Sequence, residues 1–146
     1  MTTTEAPTVI TAIIGREFHY ARTSAELEAV LDLLLVDGES QVFQWDRPCR
    51  QSKDGAINEF PADRLRLTCR DGWGALNYMS PGAHGDLVDS LGAEEAPPVL
   101  PFDEEGDLWF PRSASLPLAE VREAVAEFCR TGLRPTCVRW QPGHWY

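Results

Sequence analysis

Apolar and polar residues alternate in several short stretches of the chain, which predicts strands. Residues 9–20 are rich in Ile, Val, Phe and Tyr and are typical of a first strand with a bend at Gly15. Residues 65–70 alternate strictly, so one face is apolar and the other is basic or polar. Asp71-Gly72 then favours a tight hairpin into a strand over residues 73–79. Shorter candidate strands lie at residues 41–45, 86–91, 108–110 and 136–141.

Two other stretches place apolar residues at helical spacing. The first begins at Thr23, which forms a capping box with Glu26, and ends before Asp37-Gly38. The second begins at Pro117 and ends at Gly132. The resulting order, β-α-β-β-β-(β)-β-α-β, predicts an α+β fold: a mostly antiparallel sheet of about five to six strands with two helices packed on it.

Length and composition favour a single globular domain over residues 1–146, with 43% hydrophobic and 25% charged residues. Residues 1–8 are predicted to be a disordered tail, and residues 80–107 an acidic loop region rich in Gly and Pro. No apolar run approaches the ~20 residues that span a bilayer. Without a recognisable secretory leader, the sequence predicts a cytoplasmic protein, and its four widely separated cysteines are expected to be reduced.

The net charge of −10 is concentrated in one segment. Residues 71–111 hold nine acidic residues and no Lys or Arg, whereas the remainder is nearly neutral. Such a segment favours a cationic partner and repels nucleic acid and anionic membranes, although a plain solvated loop is the alternative interpretation. Large aromatic residues beside the acids resemble interface anchors. The predicted partner-binding residues are Asp86, Asp89, Glu94, Glu95, Asp103, Glu104, Glu105, Asp107 and Trp109.

Catalytic motifs are absent from the sequence, which has no nucleophile elbow, phosphate-binding glycine loop or zinc-protease helix. The run at residues 103–107 invites a calcium interpretation, but the twelfth position of such a loop is Ala114 instead of Glu. We therefore predict no catalytic residues, metal or cofactor. One enzyme hypothesis stays open, in which Cys69 or Cys137 meets His19 in space to form a nucleophilic pair.

The C-terminal third resembles a known family through a set of short motifs. These are Phe110-Pro111, Pro117-Leu118, Val121-Arg122, Ala124-Val125, Glu127-Phe128, Thr131-Gly132, Arg134-Pro135-Thr136-Cys137-Val138 and Trp140-Gln141. Upstream, the glycine-and-aromatic run at residues 72–78 and the helix at residues 25–35 extend the likeness. The pattern resembles a family of bacterial immunity proteins, small cytoplasmic proteins found beside polymorphic toxins, especially nucleic-acid deaminase toxins, in high-GC bacteria.

The resemblance implies inhibition by tight binding and no enzymatic activity. The expected partner is a cognate toxin domain that is basic and acts on nucleic acid, and the acidic segment would occlude its active-site cleft. Direct binding to nucleic acid or membrane is not expected. The matching residues specify helix and turn boundaries, so they do not locate the binding surface. An adaptor that binds another basic protein is the remaining alternative, besides the Cys/His enzyme.

Overall fold

The computed structural model describes residues 8–81 and 86–143 of the chain. Within these residues there are two α-helices, α1 (Ser24–Leu34) and α2 (Leu118–Thr131), and a short 3₁₀ helix (Arg112–Ala114). The strands are β1 (Val9–Ile14), β2 (Glu17–Ala21), β3 (Gly38–Trp45), β4 (Arg50–Gln51), β5 (Asn58–Glu59), β6 (Arg64–Arg70), β7 (Trp73–Ser80), β8 (Asp86–Leu91), β9 (Pro101–Asp103), β10 (Leu108–Trp109), β11 (Leu116–Pro117) and β12 (Arg139–Pro142).

The main sheet is antiparallel, in the order β12-β8-β7-β6-β3-β1-β2, with β11 pairing against the start of β7. This confirms the α+β prediction. The described part of the sheet has eight strands, more than the five to six expected. One reason is that the stretch predicted as a single bent strand is a hairpin, since Gly15 takes a left-handed conformation (φ 63°) and reverses the chain. Small two-stranded sheets, β4–β5 and β9–β10, flank the main one.

Both predicted helices are confirmed, and their ends follow the expected chemistry. The Thr23 hydroxyl accepts a hydrogen bond from the Glu26 N–H at 3.1 Å, while the Glu26 carboxylate accepts one from the Arg22 N–H at 2.8 Å. At the end of α2, Gly132 is left-handed (φ 69°) and its N–H donates to the Phe128 carbonyl at 2.7 Å. No helix among the described residues is long and apolar enough to cross a membrane.

Both helices pack on one face of the main sheet, which we call the helix face. Because side chains alternate along a strand, the apolar half of β6 (Leu65, Leu67 and Cys69) turns towards the helices and is at most 1% exposed. Phe128 and Val121 of α2 pack against it, both fully buried. The predicted alternation in this strand therefore has a simple basis: the apolar side chains enter the core, and the polar ones lie on the opposite face of the sheet.

That opposite face, which we call the second face, is covered over β7 by the segment that follows β8. Leu100, Phe102, Phe110 and Ala114 pack there against Ala75 of β7 in a smaller apolar cluster. Beyond this cluster, over β1 and β3, the second face opens into two adjoining clefts.

Candidate functional site

The acidic run between β9 and β10 folds as a defined turn, here called the acidic turn (residues 103–107). The Gly106 N–H donates to Asp103 Oδ1 at 3.3 Å, and the Asp107 N–H donates to the Glu104 carbonyl at 3.2 Å. Asp107 is left-handed (φ 54°), and its carboxylate accepts a hydrogen bond from the Trp109 indole at 2.8 Å. The indole is thereby fixed at the surface, with 44% of Trp109 exposed.

Arg66 of β6 holds the acidic turn against the second face. Its Nε and Nη2 donate to the Phe102 carbonyl at 3.2 and 2.6 Å, and Nη2 also donates to Glu39 Oε1 at 3.2 Å. The guanidinium lies 4.2 Å from the centre of the Phe102 ring. Glu39 then accepts a hydrogen bond from the Glu104 N–H at 3.2 Å. Arg66 thus contacts the carbonyl and the ring of Phe102 and the carboxylate of Glu39. These contacts give the turn a fixed position relative to β3 and β6.

Further carboxylates gather around the turn. The Asp71 N–H donates to Asp37 Oδ1 at 3.1 Å, and Arg70 forms an exposed ion pair with Glu104 at 3.2 Å. We call this group the acidic end. In the described residues it brings together seven carboxylates with three guanidinium groups, those of Arg16, Arg66 and Arg70. Its acids are Asp37, Glu39, Asp71, Asp103, Glu104, Glu105 and Asp107.

The predicted partner-binding residues did not include Asp37, Glu39 or Asp71, and the first two lie far from the acidic segment along the chain. One signal could have found such residues. The polar face of the strand at residues 65–70 carries Arg66 and Arg70, and acidic partners on neighbouring elements stabilise arginines on one face of a sheet. The spacing of residues along the chain could not identify which acids pair with these arginines, because the partners come from β3 and from the acidic turn.

The other predicted acids do not join this group. Asp89 is fully buried and accepts a hydrogen bond from the Asn77 amide at 2.9 Å, so we correct its assignment as an exposed partner-binding residue. Asp86 lies at the far end of β8, opposite Ser80 and 3.7 Å from Arg134. The seven steps along β7 from Trp73 to Ser80 separate the two ends by about 23 Å, at about 3.3 Å per residue. Glu94 and Glu95 are exposed on the link between β8 and β9.

The two clefts of the second face adjoin the acidic end. The nearer one, about 320 Å³, has Glu39, Asp103 and Glu105 in its wall. The farther one, about 580 Å³, is lined by Phe18, Phe43, Phe60, Met79 and Arg64, among others. The clefts share four lining residues, Ile13, Gly15, Arg16 and Gln41, and we call the farther one the aromatic groove.

The cysteines are free, and their surroundings disfavour the thiolate. Burial raises the pKa of Cys69 and of Cys129 to about 12. Partial desolvation and the neighbouring Glu127 carboxylate raise the pKa of the exposed Cys137 to about 11. A nucleophilic cysteine needs a lowered pKa.

Histidine and metal chemistry show no assembled site in the described residues. His19 lies 3.5 Å from the Glu17 carboxylate, and no hydrogen bond joins a histidine to a cysteine within residues 8–81 and 86–143. The other two histidines of the chain, His84 and His144, lie outside the described residues. Where the chain is described, no three His, Cys, Asp or Glu side chains are arranged so that they could hold a metal ion, and this includes the carboxylates of the acidic end.

No curated protein matches the chain. The sequence does match the family described as Immunity protein Imm1 over residues 15–142, a range that holds both helices and every described strand after β1. Membership of this family indicates a toxin-inhibiting function and therefore a protein partner. It also confirms the likeness read from the motifs between Phe110 and Gln141: the chain belongs to the Imm1 family of immunity proteins.

Proposed function

We propose that this protein acts in the cytoplasm, where it binds a cognate toxin domain that modifies nucleic acid, as a deaminase-type toxin does. In this proposal the acidic end covers the basic active-site cleft of the toxin, so that nucleic acid cannot enter. One observation carries the proposal: the acidic turn presents exposed Glu105 and Asp107, while Arg66 holds the carbonyl of Phe102, which directly precedes the turn.

Charge complementarity supports this choice of partner. An enzyme that grips phosphate groups carries Arg and Lys around its cleft, and an acidic surface matches that potential and raises the rate of encounter. A surface that is already ordered loses little conformational freedom on binding. Trp109, held beside Asp107, adds a large aromatic side chain at the edge of the charged patch, where it can anchor the contact.

The surroundings of the cysteines support an inhibitor that acts by binding and not by catalysis. The raised pKa values of Cys69, Cys129 and Cys137 argue against a cysteine nucleophile, and free cysteines suit a reducing compartment. No described contact favours the Cys/His enzyme. An adaptor would use the same acidic surface, and the identity of the bound protein separates it from an immunity protein.

The gene of an immunity protein is expected directly after that of its toxin, so the test uses the toxin domain that the preceding gene would encode. In the acidic-turn variant, Glu104→Gln, Glu105→Gln and Asp107→Asn are combined. We expect the association rate to fall by about tenfold at low salt, the salt dependence to flatten, and protection of toxin-expressing cells to be lost. The matched control combines Glu17→Gln, Glu120→Gln and Glu123→Gln, three exposed acids away from the acidic end, and should protect as the wild type does.

If the acidic-turn variant associates with the toxin and protects cells as the wild type does, the acidic mechanism is refuted. The inhibitory function of the family is not affected by that result. An absence of any complex between the wild-type protein and this toxin would instead refute the choice of partner.

A further inference from the structure

Arg64 is a half-buried arginine for which no carboxylate partner is found in residues 8–81 and 86–143. Its Nε is buried without a hydrogen-bond partner among these residues. Neighbouring arginines differ: Arg50 is paired with Glu59 at 2.9 Å and Arg66 with Glu39 at 3.2 Å. Burial and the nearby charge of Arg66 lower the pKa of Arg64. Arginine nevertheless stays charged in proteins, so an uncompensated cation lies in the wall of the aromatic groove.

Aromatic and aliphatic side chains line much of the aromatic groove, and Arg16, Gln41, Gln51 and Asn58 are the other polar residues in its wall. Phe60 packs against Phe43 with ring centres 5.2 Å apart and against Phe18 at 6.3 Å. Met79 lies directly across from Arg64 in the β6–β7 register. At about 580 Å³ the groove falls within the size range of pockets that bind small molecules or side chains. A cation beside aromatic rings suits a ligand that joins a carboxylate to an apolar group.

We propose that the aromatic groove binds a segment of the toxin that carries an Asp or Glu next to an aromatic or aliphatic side chain. The carboxylate pairs with the Arg64 guanidinium, and the apolar side chain packs on Phe43 and Phe60. The inference rests on the proposed function, since it takes the toxin as the occupant.

Charge selects this occupant and its orientation. The acidic end repels a carboxylate, whereas Arg64 attracts one, so the two parts of the second face recognise opposite charges on the same partner. A toxin that presents a basic cleft and, beside it, an acidic–apolar segment fits in one register only. An isolated half-buried cation also disfavours the folded state. Pairing on binding relieves that penalty, so Arg64 contributes to affinity more than to stability.

The test is the affinity of the toxin domain encoded by the preceding gene for wild type, Arg64→Met and the control Arg130→Met, which removes an exposed arginine from α2. We expect Arg64→Met to weaken binding by at least about tenfold, mainly through faster dissociation, with its melting temperature no lower than that of wild type. Arg130→Met should bind within about twofold of wild type.

A double-mutant cycle then identifies the carboxylate. Each surface Asp and Glu of the toxin is replaced by Ala, and its binding is measured against both the wild-type protein and the Arg64→Met variant. One of these acids should couple to Arg64 by at least about threefold. An affinity loss below about fivefold for Arg64→Met, or the absence of any coupled acid, overturns the inference.

Two further outcomes are separable. If wild type does not bind this toxin, the proposed function has failed. If sedimentation shows a wild-type dimer that Arg64→Met converts to a monomer, a second copy of the chain occupies the groove and the inference is overturned.

Discussion

The two faces of the main sheet are built by different forces, although β6 contributes side chains to both. On the helix face, Leu65 and Leu67 are fully buried under α1 and α2 in the larger apolar core. On the second face, Arg66 and Arg70 of the same strand meet a carbonyl oxygen, carboxylates and an aromatic ring, while Arg64 lines the aromatic groove. Burial of apolar area holds one face, and a few directional polar contacts hold much of the other.

This difference separates stability from recognition. Apolar packing is non-directional and is shared among many residues, so it defines the fold without presenting any particular group to solvent. A turn held by Arg66 and Glu39 keeps its carboxylates in place and outside. We therefore expect substitutions on the helix face to act on the whole molecule, and those on the second face to act locally.

The largest effect is expected from Phe128→Ala on the helix face. Phe128 is fully buried and meets Tyr78 edge-on, with ring centres 6.2 Å apart. Its truncation leaves a cavity in the main core and should lower the free energy of unfolding by about 3–5 kcal/mol, measured by denaturant titration. Leu133→Ala, at a position 64% exposed, is the control and should change it by less than about 0.5 kcal/mol. A loss under about 1 kcal/mol for Phe128→Ala would contradict the assignment of this face as the main core.

A smaller and local effect is expected from Arg66→Met on the second face. Removing the guanidinium leaves the Phe102 carbonyl and the Glu39 carboxylate without this partner. We expect a loss of about 2 kcal/mol, below the range for fully buried pairs because the Arg66 side chain is 16% exposed.

Hydrogen exchange shows whether that effect is local. In Arg66→Met, residues 103–107 should exchange faster while α1 and α2 keep their protection. Arg50→Met breaks an exposed pair with Glu59 and should leave the acidic turn unchanged. Equal loss of protection in the helices and the turn would show that the second face is not an independent unit.

Adding one methyl group to a glycine on each face gives the next comparison. At Gly132, Ala must adopt a left-handed conformation with its Cβ 2.6 Å from Gln44 Oε1, and we expect a loss of about 1–2 kcal/mol. Gly106 is not left-handed, and the added Cβ meets the end of the Asp103 side chain at 2.9 Å and Leu108 at 3.7 Å, so the loss should be below about 0.5 kcal/mol. Thermal unfolding measures both, and the reverse order would refute this assignment of strain.

The smallest effect concerns the reactivity of Cys137 and not stability. Because its pKa is raised to about 11, the folded protein holds this thiol protonated at pH 8, and the rate of alkylation should keep rising as the pH increases towards 11. Glu127→Gln removes a neighbouring charge and should speed alkylation at pH 8. Rapid alkylation of the wild type at pH 7, as fast as that of a cysteine peptide, would show that the thiolate is accessible and would revive the enzyme hypothesis.

Local signals explain what could be predicted about the fold. The Thr23 and Gly132 helix ends depend on backbone chemistry within a few residues, and so does the reversal at Asp71-Gly72, where both residues take positive φ. The pairing of β11 with β7 and the coverage of the second face depend on contacts between distant residues. Sequence spacing holds no information about which distant segments meet.

The candidate site was predicted in part for the same reason. Glu104, Glu105, Asp107 and Trp109 are exposed on or beside one turn, as their clustering suggested. Asp89 was placed on the same surface only because it is close in sequence. In β8 the side chains alternate, so Asp86 and Asp89 point to opposite faces of the sheet. Asp89 lies on the second face, where the covering segment buries it.

The sequence by itself determined that this chain has two capped helices on a mostly antiparallel sheet and that its negative charge is concentrated in one segment. Only the tertiary structure decided how that charge is presented. In the folded chain Glu39 contacts both Arg66 and the acidic turn, and Asp86 lies at the other end of the sheet. Arg64 lines the aromatic groove. Helix ends and hairpins arise from neighbours along the chain, whereas an electrostatic surface depends on strand register and on which segments cover each face.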